Sequence, residues 1–178
     1  MRQLFIVVAG LAVAGLCAGP ALAGKVEVKG SHVCCNQCVN TIKAVLGKVD
    51  GVSDAAAAKG QPITFTAKDE KAAAAGVKAL MDAGFAGTPT DDGKEVKVEL
   101  ASPKAGEKAD EVSVKSVHVC CMQCKNTVTK VFKDATVTFA DEDKTTKTAT
   151  VKIAGKDLEK AKVLEELRKA GYNGTIEK

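Results

Sequence analysis

Two heptapeptides carry nearly all the reactive side chains of this chain. Residues 32–38 read HVCCNQC and residues 118–124 read HVCCMQC. The sequence has 7 Cys and 2 His, and these two stretches hold both His and every Cys except Cys17. Each contains a C-x-x-C pair, Cys35/Cys38 and Cys121/Cys124, preceded directly by one more thiol, Cys34 or Cys120. Sulfur at this spacing supports two chemistries. Two thiolates three residues apart across a turn into a helix can converge on one ion, and soft sulfur selects Cu(I), Hg(II) or Zn(II) over hard cations. The same pair can cycle between dithiol and disulfide. A helix start favours either, because its unpaired N–H groups and positive dipole end stabilise thiolate.

The elements that position these thiols come from a duplication. Residues 31–46 (SHVCCNQCVNTIKAVL) align with 117–132 (VHVCCMQCKNTVTKVF) at an offset of 86, and LMDAGF (80–85) aligns with LRKAGY (167–172) at an offset of 87. In each copy an alternating run (KVEVKGSHV, EVSVKSVHV) predicts a strand leading into the cysteines. Cys38, Ile42, Val45 and Leu46, and likewise Cys124, Val128, Val131 and Phe132, have the spacing of a helix face. PITFTAK, ATVTFAD and TKTATVKIA alternate like strands, with ADEDKTTK as a hairpin loop. DEKAAAAGVKALMDAG and DLEKAKVLEELRKAG then predict helices that open on acids and close at Ala-Gly. A short extended segment ends each copy. The order β-α-β-β-α-β is ferredoxin-like, so the expected class is α+β, two such domains in tandem.

With the motif, its position and its duplication in view, each copy resembles the heavy-metal-associated domain family. Copper chaperones, the N-terminal modules of copper-transporting ATPases and the periplasmic mercury-binding protein belong to that family. Its loop, G-M-x-C-x-x-C, falls on residues 32–38 and 118–124. The resemblance implies that Cys35, Cys38, Cys121 and Cys124 bind metal near-linearly, with Cys34 and Cys120 as optional third ligands. Cu(I) is the first choice, Hg(II) and Zn(II) following, and a metal donor or acceptor protein is an implied partner. Phe85 and Tyr172 fall on the family's Gly-aromatic position beside the loop, where packing that excludes water is expected. The departures are His32 and His118 for Gly, Val33 and Val119 for Met, and an aromatic where soluble chaperones often carry Lys. Strand alternation points adjacent side chains apart, which sets Cys34 and Cys120 at an angle to their pairs and turns His32 and His118 away.

Outside the cysteines the sequence narrows the function by exclusion. Residues 1–23 have the layout of a signal peptide: Arg2, an apolar run, then Ala21-Leu22-Ala23. Cleavage after Ala23 would remove Cys17 and send the protein to the periplasm or the medium; the alternatives are a retained anchor, since Leu4–Ala23 is uncharged and long enough to span a bilayer, and lipidation at Cys17, which Leu16 disfavours. After Ala23 no run is apolar enough for a membrane span. The remaining formal charge, +3, is too small to argue for nucleic acid, and aromatics make up 3% of residues with no Trp. The expected organisation is a signal peptide (1–23), a first domain (24–100) in which KEVKVEL (94–100) adds or extends an edge strand, a linker (101–110) that lets the two sites move independently, and a second domain (111–178). No Ser-His-Asp grouping, phosphate loop or carboxylate pair is present, so a hydrolase is not expected, and the leading reading is an exported soft-metal binder rather than an enzyme. Two other readings stay open: a thiol–disulfide oxidoreductase, for which each copy is short, and a scaffold whose loops are oxidised and inert.

Overall fold

The computed structural model describes residues 24–176, so the export segment expected over residues 1–23 lies outside the described residues. The chain runs β1 (Gly24–Lys29), α1 (Asn36–Leu46), β2 (Val52–Ala56), β3 (Ile63–Ala67), α2 (Glu70–Asp82), β4 (Thr88–Asp91), β5 (Lys94–Glu95), β6 (Lys108–His118), α3 (Met122–Val131), β7 (Thr136–Asp143), β8 (Thr148–Glu159), α4 (Lys160–Lys169) and β9 (Thr175–Ile176). Strands β1–β5 form one antiparallel sheet in the order β2-β3-β1-β4-β5, and β6–β9 form another in the order β7-β8-β6-β9. The fold is α+β, and both sheet orders are compatible with ferredoxin-like repeats carrying a short added edge strand, β5, on the first. No helix among the described residues is long and apolar enough to cross a membrane.

The period-two pattern decides which face of each sheet is covered. Val26 and Val28 on β1 and Ile63, Phe65 and Ala67 on β3 are buried, while their alternate neighbours are more exposed. Helix α1 buries Cys38, Ile42 and Leu46, one side chain per turn, and α2 adds Val77 and Leu80. The second repeat does the same with Val112 and Val114 on β6, Val151 and Ile153 on β8, Val128 on α3, and Leu164 and Leu167 on α4. Cys38 and Cys124, both 0% exposed, begin the stripes that α1 and α3 press into their cores. The rest of each stripe thus fixes the rotation of the helix that aims these sulfurs.

Two local outcomes differ from the periodicity. The fourth helix was expected to open at Asp157-Leu158-Glu159, yet these residues extend β8 and α4 starts at Lys160. The cause is pairing: β6 begins at Lys108, inside the stretch expected as linker, and sets Lys108 opposite Glu159 and Ala109 opposite Leu158. The first repeat has no such extension, and α2 keeps its cap, with the Asp69 carboxylate accepting a hydrogen bond from the Ala72 N–H at 2.7 Å. In KEVKVEL only Lys94–Glu95 is strand, paired with Asp91 and Thr90.

Replacing Asp69 by Ala leaves the Ala72 amide at the start of α2 without its side-chain acceptor. Chemical denaturation of the reduced protein should show a loss of about 1 kcal/mol, with the far-ultraviolet dichroism of the folded baseline unchanged.

Candidate metal centre

The two cysteine loops face each other. The N-caps of α1 and α3 are Cys35 and Cys121, each with extended backbone and no side-chain cap, so the first-turn amides stay available to sulfur. Within each loop the C-x-x-C sulfurs lie together, 3.8 Å apart for Cys35 and Cys38 and 3.6 Å for Cys121 and Cys124. Across the repeats the approach is as close: Cys35 to Cys120 is 3.3 Å, Cys38 to Cys120 3.6 Å, Cys34 to Cys121 3.7 Å and Cys34 to Cys124 3.5 Å. Cys34 to Cys38 at 3.7 Å and Cys120 to Cys124 at 3.6 Å complete a single contiguous body of sulfur. All six of these cysteines are free thiols.

These sulfurs form two overlapping four-thiol groups, Cys34/Cys35/Cys38/Cys120 and Cys34/Cys120/Cys121/Cys124, with the sulfurs of each group within 4.8 Å of one another. Thiolates about 2.3 Å from an ion stand about 4.6 Å apart when two bind it linearly, about 4.0 Å when three bind in a plane and about 3.8 Å in a tetrahedron. The separations here match the higher coordination numbers rather than the near-linear pair that the loop sequence implied. Cys34 and Cys120 do not diverge from their neighbours' site, because both lie outside β1 and β6 and the facing loop supplies a second wall of sulfur. Cys34, Cys38 and Cys124 are buried, while Cys35, Cys120 and Cys121 are half-buried and form the approach from solvent.

The two loops are held together by equivalent residues exchanged across the repeats. The His32 ring stacks on Tyr172 at 4.3 Å between centroids, and the Phe85 ring stacks on His118 at 4.4 Å. Phe85 and Tyr172, which occupy matching positions, pair with each other as an antiparallel bridge. Around them His32 N–H and Ala86 N–H donate to the Gly171 carbonyl, and Asn173 N–H donates to that of Gly84. Asn173 Nδ2 donates to the Met81 carbonyl at 2.9 Å. This interface is the feature that sequence reasoning missed. The one signal for it was the recurrence of both His in the positions that the family resemblance gives to glycine.

Glycine lets the repeats approach this closely. Gly84 and Gly171 follow the ends of α2 and α4 with φ of +88° and +86°. A Cβ on Gly84 would stand 2.3 Å from the backbone nitrogen of His118, and one on Gly171 would stand 2.4 Å from that of His32. Side chain and conformation are therefore both excluded.

Burial and the neighbouring sulfurs drive the acidities of these thiols apart. The Cys38 thiol is held well below its ordinary range, first by the neighbouring Cys124 thiol, with His118 and the backbone at Cys34 and Cys35 assisting against burial. Cys124 is pushed up, first by Cys38 beside it and then by burial. Burial raises Cys34 to about 12, and burial together with the hydrogen bond to Cys35 raises Cys120. Burial also opposes ionisation of Cys121, but hydrogen bonds at Cys124 and the backbone at Gln123 bring it below its ordinary value. Neutral thiols thus support a few thiolates, and ionising all six would pack like charges at contact distance unless cations entered. His32 is lowered, chiefly by burial, and keeps an unpartnered Nε2. Both ring nitrogens of the buried His118 lack a hydrogen-bond partner.

Comparison with protein-family models, with curated proteins and with solved structures finds no match for this chain.

Exchanging Gly84 or Gly171 for Ala should part the repeats without touching a sulfur. The left-handed conformation alone disfavours Ala by about 1–2 kcal/mol, and the backbone clash adds to it. Spin labels on exposed residues of α1 and α3 should report a longer and broader distance distribution in each variant than in the parent protein.

Proposed function

We propose that this protein is an exported binder of soft metal ions, Cu(I) in the first place and Hg(II) or Zn(II) after it, and that it sequesters them or hands them on. The observation that carries the reading is the convergence of six free thiols from two repeats, at separations of 3.3–3.8 Å, on one partly buried centre. Both four-thiol groups consist wholly of sulfur, the donor set that discriminates against Mg²⁺ and Ca²⁺ in favour of Cu(I) and similar ions.

The residues act through charge and position. An arriving ion meets the half-buried Cys35, Cys120 and Cys121 first and then displaces protons from the deeper Cys34, Cys38 and Cys124. The amides at the starts of α1 and α3 stabilise the thiolates so formed, and the stacked His32/Tyr172 and Phe85/His118 pairs keep water from the loops. Burial of half the donors favours retention of the ion. Hand-over to an acceptor would proceed by stepwise exchange of thiolates and requires the two loops to separate, which makes the interface between repeats the gate on release. The family resemblance read from the loop sequence agrees with this activity, and the fold is compatible with it.

Reduced protein covering residues 24–178 should take about two Cu(I) per chain from a Cu(I)-selective chelator, with release of protons and without measurable insulin-reducing activity. Replacing all six cysteines by Ser should abolish the uptake. Failure of the parent protein to compete with the chelator, or uptake that survives the six replacements, would sink the reading.

A further inference from the structure

The shortest closed sets of sulfurs are not the triplets written in the sequence. Cys35, Cys38 and Cys120 form one triangle, with sides of 3.8, 3.6 and 3.3 Å. Cys34, Cys121 and Cys124 form the other, with sides of 3.7, 3.6 and 3.5 Å. Each triangle takes its C-x-x-C pair from one repeat and its third sulfur from the opposite loop. The two triangles are equivalent under exchange of the repeats, and they touch through Cys34 to Cys38 at 3.7 Å and Cys120 to Cys124 at 3.6 Å.

We propose that the extra cysteine of each loop serves the other repeat's site: Cys120 completes a three-thiolate site with Cys35 and Cys38, and Cys34 completes one with Cys121 and Cys124, so that the two ions occupy one shared centre. The proposal rests on the metal-binding reading above and adds to it the assignment of ligands. A sequence-local site would use Cys34 with Cys35 and Cys38, but Cys34 stands within 4.0 Å of both Cys121 and Cys124, and its closest sulfur is that of Cys124. The side lengths fit three or four ligands around an ion better than two. Trans completion also couples the sites. The first ion bridges the repeats and fixes both loops, so the second binds to a site whose ordering has already been met, and loading is cooperative. Each ion becomes a cross-link between the halves of the chain, which gives a duplicated motif a use that two independent copies would lack.

The experiment uses the full chain with Cys35 and Cys38 both changed to Ser, which leaves one C-x-x-C and both extra cysteines. Into this background either Cys34→Ser or Cys120→Ser is introduced, and Cu(I) affinity is measured by chelator competition together with the copper X-ray absorption spectrum. Trans completion predicts that Cys34→Ser weakens the remaining site about tenfold or more and lowers its sulfur count from three to two, while Cys120→Ser leaves both much closer to the background protein. A loss confined to Cys120→Ser, or an equal loss or no loss from both, would overturn the assignment while leaving metal binding intact. Circular dichroism on both variants separates ligand loss from unfolding, and the mirror pair in a Cys121→Ser/Cys124→Ser background repeats the comparison with the roles exchanged. Should the parent protein take up no Cu(I), the binding reading itself fails, and the trans assignment fails with it.

Discussion

Six sulfur atoms at contact distance can all ionise only if positive charge is brought among them, and the rest of this structure is arranged around that constraint. Cys38 and Cys121 are drawn below the ordinary thiol range, Cys38 first by the neighbouring Cys124 and Cys121 by hydrogen bonds at the start of α3, while burial pushes Cys34 and Cys120 up. On the proposed reading, binding would exchange protons for soft cations within this centre.

That shape depends on the approach of the two repeats. The aromatic and imidazole rings of one repeat stack on those of the other, and the glycines at the ends of α2 and α4 leave room for the opposing backbone. The same residues hold the loops in register and shield them. The cores contribute at a distance, because Ile42 and Leu46 fix the face of α1 that carries Cys38, and Val128 does so for α3 and Cys124.

Much of the fold was legible because it is written in local periodicity. The alternation along β1 and β3 and the one-per-turn stripe on α1 each state which face is buried. The elements that misled were those settled by pairing between distant segments. Residues 157–159 have helical character, but the extension of β6 back to Lys108 gives Leu158 and Glu159 strand partners. The cysteines were identifiable as candidate metal ligands from type and spacing alone. Their grouping was not, since strand alternation predicts Cys34 turned from Cys35, whereas β1 ends before Cys34 and the facing loop supplies its nearest sulfur. Nor could a linker's composition show that the sites it joins pack together rather than move independently. The His residues were read as turned away from the thiols, whereas His118 is buried beside Cys38.

The central claim is that the two loops form one centre, and chemical cross-linking tests it most directly. A chain retaining only Cys35 and Cys120, whose sulfurs are 3.3 Å apart, would be treated when reduced with the shortest available bifunctional thiol reagent at low protein concentration. The account predicts rapid, nearly complete internal linkage, seen as a faster-migrating monomer on a denaturing gel. Slow modification by two separate reagent molecules, with no internal linkage, would contradict it.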